Sequence, residues 1–332
     1  MPSPDFSLLD ATEIVQGYYG FPCTAEDLYS ERDRNFYIKS ENGREYILKI
    51  SNPAEDQSAL QMQIDCSGYI INKDSNLNIP LTIKSTTGKN IIIMDKDGFT
   101  YYARMVTYIP GIFLKDYNKS DVVLSSLGAF MARISRAMKG FEHPVANRIF
   151  PWNLSQHDFI KHFNQELKTE EEMEIVQFFL HQAQAYQMDN EKEISWAVIH
   201  NDGNDHNILV NEQGEATGII DFGDMGYSYQ VAEPAVAMAY VALDTSDPFN
   251  SMGQVLKGYH ESFQLSEKEL KFSIYLVCLR LSVSVTMSAY RKKLFPQNEY
   301  ITLSEASALE FLRYMRDQNL VQWSKELYDL AR

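Results

Sequence analysis

Three oxygen-bearing side chains stand at short intervals in the middle of the chain. Asn207 follows Asp202 by five positions in VIHNDGNDHNILV, residues 198 to 210, and Asp221 follows Asn207 by fourteen. Transfer of a phosphoryl group from a nucleotide needs a group that orients or deprotonates the attacking hydroxyl, and oxygen ligands that hold Mg²⁺ against the phosphates. We therefore predict Asp202 as the catalytic acceptor of the hydroxyl proton, with Asn207 and Asp221 as magnesium ligands.

Short apolar segments beside these residues predict the strands that position them. Residues 197–200, 208–211 and 217–220 are too short for helices, and glycines break the run. The second and third segments are predicted to form a hairpin around a glycine-containing turn. Such a hairpin would bring Asn207 and Asp221 to the same end of one sheet.

Residues 35–108 have the pattern of a small antiparallel sheet that carries one helix. Strands at 35–39 and 46–50 are joined by Asn42-Gly43, a pair that readily adopts the positive φ angles of tight turns. A helix follows, for which Asn52 is the predicted N-cap. The inner face of this helix is predicted to be formed by Leu60, Ile64 and Ser67. Further strands are predicted at residues 81–84, 91–94 and 100–107.

The pattern becomes mainly helical after Pro110-Gly111. Ser120 can cap a helix whose apolar residues recur at helical spacing, namely Leu124, Leu127, Met131, Ile134 and Met138. A chain of 332 residues also exceeds the size that one hydrophobic core usually reaches. We predict an α+β, bilobal fold, with a small antiparallel-sheet N-lobe at residues 1–106 and a larger, mainly helical C-lobe at residues 107–332.

The composition restricts partners and compartment. A formal net charge of -15 argues against nucleic-acid binding and favours a small cationic or zwitterionic ligand. Cys23, Cys66 and Cys278 are far apart and lack metal-ligand spacing, so we expect reduced thiols and a cytoplasmic protein. The N-terminus lacks the pattern of a secretory signal, and Arg280 within the apolar stretch 273–290 favours a buried helix over a membrane span. No motif indicates a protein partner.

The catalytic motifs together resemble a known family. H-N-D-x4-N at residues 200–207 and I-I-D-F-G-D at residues 219–224 are similar to the motifs of the aminoglycoside phosphotransferase and choline kinase family, which shares the protein-kinase fold. The resemblance implies Mg²⁺ and either ATP or GTP as phosphoryl donor. It also implies a phosphate-binding lysine on the third strand of the first lobe. Lys49 fills that place. On a strand its side chain points opposite to those of Leu48 and Ile50, so it would face the phosphates if those two residues face the core.

The resemblance extends to other nucleotide contacts, with departures. No glycine-rich loop precedes Lys49, so Arg34 or backbone amides of its turn would cover the phosphates. The usual helical glutamate partner of the lysine is replaced by Gln63 or Asp65. Backbone groups from Thr107 to Ile109 would select the base.

Further stretches, among them DRNFYIKSENGREYILKISNPAE and LSVSVTMSAYR, resemble the hydroxylysine kinase-like branch. That branch implies phosphorylation of a hydroxyl on an amino acid or amino alcohol, of the hydroxylysine or homoserine type. The alternatives are an aminoglycoside or choline/ethanolamine kinase, and a non-catalytic nucleotide-binding regulator. A protein kinase is disfavoured, because Ala232-Glu233-Pro234 follows Asp221 too closely to leave a peptide-docking segment.

Substrate contacts are less sharply indicated. Arg280 either binds a substrate carboxylate or pairs with a buried acid. Asp205 and Asp224 are candidates for a substrate ammonium, although Asp224 would serve equally in an ion pair or in support of the metal site. Trp152 either lines the acceptor pocket or belongs to the core. His200 is predicted to be structural, with its ring bonded to backbone near Asp221.

Overall fold

A computed structural model describes residues 4–30, 32–156, 158–243, 245–294 and 303–332 of the chain. Within it, Met1–Pro110 and Gly111–Arg332 form two compact units. The first contains a single antiparallel sheet and the second is mainly helical, in agreement with the predicted α+β fold class.

The first unit is built on a six-stranded sheet. Strands are paired antiparallel in the order β1-β2-β3-β6-β4, and β5 pairs with β6. Phe36, Leu48 and Met105 lie side by side on adjacent strands and are fully buried, which defines the core face of the sheet. The strands are β1 (Cys23–Leu28), β2 (Arg34–Ser40), β3 (Glu45–Ile50), β4 (Thr82–Ile83), β5 (Ile92–Lys96) and β6 (Phe99–Thr107).

Among the described residues of this unit two α-helices accompany the sheet, whereas the sequence pattern predicts one. Helix α1 (Leu8–Ile14) continues as a π-helical turn, Val15–Tyr19, and was missed together with β1. A capping box at Ser7 and Asp10 starts α1, but few of its side chains are buried. The second, α2 (Gln57–Lys73), begins later than predicted.

The predicted N-cap of α2, Asn52, is wrong, because Asn52 forms hydrogen bonds within the turn that precedes the helix. Its side-chain Oδ1 accepts from the backbone N–H of Ala54, and its own N–H donates to Asp33. Asp56 is the actual N-cap and accepts from the backbone N–H of Ser58. The residues from Asn52 to Asp56 therefore form a turn that precedes the helix.

The second unit contains the remaining helices and two small sheets. Its helices are α3 (Asp121–Met138), α4 (Asp158–Phe163), α5 (Glu170–Asp189), α6 (Ala232–Val241), α7 (Pro248–Ser262), α8 (Glu267–Leu294), α9 (Leu303–Arg316) and α10 (Leu320–Ala331). Its strands are β7 (Ile112–Phe113), β8 (Trp196–Ile199), β9 (Ile208–Val210), β10 (Ala216–Ile219) and β11 (Gly226–Tyr229). The sheets have the orders β10-β9-β7 and β11-β8. Ser120 is the N-cap of α3, as predicted.

Two helices of this unit approach each other closely, and a third lies in its core. A Cβ atom added to Gly128 of α3 would lie 2.0 Å from the backbone oxygen of Val255 in α7, so only glycine fits there. By length and composition alone, α8 could cross a membrane, but its most apolar window is entirely buried within the protein. This burial agrees with the predicted core helix.

Candidate active site

A buried glutamate holds the start of the catalytic loop that follows β8. The Glu233 carboxylate at the start of α6 accepts hydrogen bonds from the backbone N–H groups of His200 (2.7 Å) and Asn201 (3.2 Å). Burial raises the pKa of Glu233 to about 7, against the lowering effect of the two N–H donors. The loop therefore begins at a fixed point in the core.

Asn201 gives the loop its next turn. Its backbone is in the left-handed region, with φ 65°, a conformation that asparagine tolerates better than most residues. Its buried side-chain amide donates to the backbone carbonyls of Trp152 (3.2 Å) and Asp224 (3.1 Å). Asn201 thus ties the catalytic loop to two other segments.

The ring of His200 is a neutral, structural element. The side chain is fully buried and lies edge-on to Phe222, with ring centroids 4.6 Å apart. Its Nδ1 accepts from the backbone N–H of Asp202 at 3.3 Å. Burial lowers the pKa of His200 to about 4, although the charge of Asp221 and the Ile220 carbonyl oppose this shift. These contacts are those of a residue that supports the loop.

Three donors surround the carboxylate of Asp202. Oδ1 accepts from Arg280 at 2.8 Å and from the Asn204 amide at 2.9 Å, and Oδ2 accepts from the Asn207 amide at 2.6 Å. Burial raises the pKa of Asp202, and the Arg280 charge acts in the opposite direction. The side chain remains 18% exposed, so a substrate hydroxyl can reach it.

The β9–β10 hairpin brings the two predicted metal ligands to one end, as expected. Ile208 and Ile219 are paired across the hairpin, and the backbone N–H of Ile220 donates to the Asn207 carbonyl at 2.9 Å. Asp221 follows immediately, with an exposed side chain and φ 61°. Because the Asn207 amide nitrogen donates to Asp202, the amide oxygen points elsewhere.

Arg280 of α8 is paired with an acid, which is one of the two alternatives left open by the sequence. Its guanidinium donates to Asp202 and to the Trp152 carbonyl (3.4 Å). It also lies 4.4 Å from the centroid of the Trp152 ring, a cation–π contact. Trp152 is half-buried beside the Asp202 carboxylate, a position that suits a wall of an acceptor site.

The two aspartates predicted to bind a substrate ammonium differ in their surroundings. Asp205 accepts from Lys119 at 2.6 Å, so its charge is already neutralised by the protein, and the geometry disfavours it as an ammonium ligand. Asp224 is different. Burial, followed by the charge of Asp202, raises its pKa to about 6, while Arg280 and Arg148 act against the rise. Arg148 also donates to the Gly223 carbonyl and fixes this segment.

Lys49 has the strand environment that was predicted for it in the first unit. Leu48 and Ile50 are fully buried on the core face, whereas Lys49 is half-buried and faces the other way. Gln63 is also buried, but its side-chain oxygen accepts from Arg104, the residue opposite Lys49 on β6.

The other predicted nucleotide contacts in the first unit are Arg34, Thr107 and Ile109. Arg34 donates to the Phe6 carbonyl at 3.1 Å and pairs with Asp27 at 2.7 Å, which disfavours it as a phosphate ligand. The Thr107 N–H donates to Leu81. Thr107 and Ile109 stay predicted contacts to the base.

Glu233, Arg148 and the bridging role of Asn201 were not found from the sequence. Their contacts join residues that are distant along the chain, such as the 75 positions from Arg148 to Gly223. The position of Glu233 directly before Pro234 indicates a helix start. It does not indicate which loop the Glu233 carboxylate contacts.

Comparison with known proteins identifies the family of this chain. Residues 29–264 match the phosphotransferase enzyme family. The chain is 29% identical to the hydroxylysine kinase of Mus musculus, over 95% of this chain and 90% of the relative, and 27% identical to that of Xenopus laevis, over 99% and 94%.

Solved structures are similar in fold at low sequence identity. An amicoumacin kinase in complex with AMP-PNP, Ca²⁺ and Ami matches with a TM-score of 0.71 at 17% identity, over 98% of this chain and 94% of that one. A microcompartment-associated aminopropanol kinase matches with a TM-score of 0.70 at 14% identity, over 98% and 96%. The resemblance and fold class predicted from the motifs are thereby confirmed. This chain belongs to the phosphotransferase enzyme family.

Proposed function

We propose that this enzyme is a small-molecule kinase that transfers the γ-phosphoryl group of ATP or GTP to a hydroxyl of an amino acid or amino alcohol of the hydroxylysine type. The observation that carries the proposal is the arrangement of Asp202, Asn207 and Asp221 around one loop and one hairpin end. The similarity to hydroxylysine kinases over almost the whole chain supports the choice of acceptor.

Asp202 receives the acceptor hydroxyl in this reaction. Its carboxylate is held by three donors, so it presents a fixed oxygen to the hydroxyl. It accepts the hydroxyl proton as the new phosphate ester bond forms and the bond from the γ-phosphorus to the bridging oxygen breaks, which releases the nucleoside diphosphate. Positioning contributes more here than basicity, because phosphoryl transfer of this kind depends mainly on alignment and on charge stabilisation.

The residues present fit Mg²⁺. Asp221 supplies an exposed carboxylate and Asn207 an amide oxygen that points away from Asp202, and these are hard oxygen donors of the kind that Mg²⁺ prefers. Two protein ligands suffice, because Mg²⁺ keeps several water and phosphate ligands. When bound, the ion neutralises charge on the phosphates.

The nucleotide would use Lys49, which projects from the face of its strand that is not in the core. Both ATP and GTP remain candidate donors. The acceptor is proposed to be cationic or zwitterionic, since Asp224 is an acid beside Asp202 and the whole chain carries a net charge of -15. We also propose a cytoplasmic location, since Cys23, Cys66 and Cys278 lie far apart in the sequence and lack metal-ligand spacing.

The test is an acceptor screen with the purified chain. Hydroxylysine, homoserine, choline, ethanolamine and an aminoglycoside are each incubated with Mg²⁺ and either ATP or GTP, and the phosphorylated products are identified by mass spectrometry. We expect transfer to hydroxylysine or a related amino alcohol. Transfer only to choline or an aminoglycoside would replace the acceptor, whereas nucleotide binding without any transfer would favour a regulator.

A further inference from the structure

Arg280 is an unusual residue for the middle of an apolar helix. Its side chain is only 2% exposed, yet it carries a permanent charge. The acid that balances this charge is Asp202, whose Oδ1 lies 2.8 Å from the guanidinium Nη2. Burial of such a pair is costly unless its geometry is closely matched, so the pair calls for an explanation beyond stability.

Several contacts fix the orientation of the guanidinium. One nitrogen donates to the Trp152 carbonyl at 3.4 Å, and the group lies 4.4 Å from the centroid of the Trp152 ring and 5.6 Å from that of Tyr240. The nitrogen Nε is buried and makes no hydrogen bond among the described residues. An arginine held in this way cannot turn toward a ligand without losing its hold on Asp202.

The hydrogen bonds on Asp202 show what Arg280 achieves. A carboxylate oxygen accommodates about two donors. Oδ1 already has two, Arg280 and Asn204, whereas Oδ2 receives one among the described residues, from Asn207. The acceptor hydroxyl is therefore directed to Oδ2, the oxygen that also contacts the predicted metal ligand.

We infer that Arg280 is a positioning residue for phosphoryl transfer, which holds the Asp202 carboxylate so that Oδ2 faces the acceptor hydroxyl. It does not bind a carboxylate of the acceptor. This inference rests on the proposed kinase function. Its consequence is that the loss of Arg280 slows transfer to every acceptor, whether or not the acceptor has a carboxylate.

The experiment compares Arg280→Met and Arg280→Lys with the wild type, on hydroxylysine and on its decarboxylated analogue. Arg291→Met is the matched control, because Arg291 lies on the same helix and its Cζ is 5.4 Å from the centroid of the Trp152 ring. We expect kcat of Arg280→Met to fall by about 100-fold, the scale of a displaced reacting group, with the acceptor KM nearly unchanged. Arg280→Lys should recover part of this loss, and Arg291→Met should keep its kcat within about twofold, since it leaves the Asp202 contacts intact.

A rise in KM confined to the acceptor with a carboxylate, at unchanged kcat, would show instead that Arg280 binds the substrate. Wild-type kcat in Arg280→Lys and Arg280→Met alike would also overturn the inference. If thermal unfolding shows that Arg280→Met does not fold, Arg280→Lys is used instead. A lower kcat at unchanged acceptor KM in that variant supports the positioning role, and a higher KM at unchanged kcat contradicts it. Inactivity of the wild type with every acceptor would refute the proposed function, which is a separate outcome.

Discussion

Asn207 donates its side-chain amide twice to Asp202, to the carboxylate Oδ2 at 2.6 Å and to the backbone carbonyl at 3.0 Å. One side chain thus fixes both the backbone turn and the carboxylate of the proposed proton acceptor. Because its amide oxygen is the proposed metal ligand, the same residue links the two halves of the proposed reaction. The effects of substitution at the two positions should therefore differ in kind.

Asp202→Ala should lower kcat by roughly 10²–10⁴-fold, the usual contribution of a positioned acid or base. Nucleotide affinity should stay within about twofold, because the role proposed for Asp202 is contact with the hydroxyl and not with the phosphates. Steady-state kinetics and nucleotide titration measure the two quantities. Glu212→Ala, in the exposed turn of the β9–β10 hairpin, is the control. Equal losses of kcat and nucleotide affinity would contradict the role given to Asp202.

Asn207→Ala should affect both metal use and turnover. The variant loses the proposed metal ligand and the double hydrogen bond to Asp202, so we expect about a tenfold rise in the Mg²⁺ concentration for half-maximal activity, together with a lower kcat. The measurement is initial rate against Mg²⁺ concentration at saturating nucleotide. An unchanged Mg²⁺ requirement would remove Asn207 from the metal site.

Asp224→Asn should weaken binding of a cationic acceptor by about tenfold or more, since a hydrogen bond to a charged group contributes about 1.5–3 kcal/mol. Burial raises the pKa of Asp224 to about 6, so the wild-type carboxylate loses its charge as the pH falls through that value. Acceptor KM should therefore rise below about pH 6 in the wild type and stay flat in Asp224→Asn. Parallel pH profiles would argue against an ammonium contact.

Glu233→Gln should change how stability depends on pH. Burial raises the pKa of Glu233 from 4.5 to about 7, so the folded state binds a proton more tightly than the unfolded state. Between these values the free energy of unfolding of the wild type falls as the pH rises, by up to about 3 kcal/mol in all, and the loss is complete above pH 7. Urea unfolding from pH 4.5 to 8 should show this slope reduced in Glu233→Gln. The same slope in both proteins would contradict the pKa shift.

Gly128→Ala should destabilise the protein by about 3 kcal/mol or more, because the added methyl group would meet the backbone of α7 and force the helices apart. Gly68→Ala is the opposite case. Gly68 lies in α2 with nothing within 4 Å of an added Cβ, so alanine should stabilise that helix by up to about 1 kcal/mol. Calorimetric unfolding of the two variants provides the comparison. Equal transition temperatures would show that the close approach is not maintained in solution.

Local patterns were sufficient for much of the fold. Alternation placed Lys49 opposite two core residues, helical spacing and Ser120 located α3, and a glycine turn gave the hairpin that aligns Asn207 with Asp221. Helix α1 and strand β1 were missed because they bury few side chains, so their hydrophobic pattern is weak.

Contacts between distant residues were less accessible. Arg280 could be recognised as a charge within an apolar helix, but its partner, 78 positions away, could not be chosen among the acids of the chain. The pairs of Arg34 with Asp27 and of Asp205 with Lys119 were overlooked for the same reason. The sequence shows which charged residues are present, but which of them form ion pairs depends on the tertiary structure.

Two groups that hold the loop after β8 come later in the chain than the loop itself. Glu233 lies 33 positions beyond His200, and Arg280 lies 78 positions beyond Asp202. During synthesis the reactive residues therefore leave the ribosome well before their supports. A nascent polypeptide that ends ahead of α8 therefore has the Asp202 carboxylate without the guanidinium that pairs with it, so this ion pair forms only late in translation.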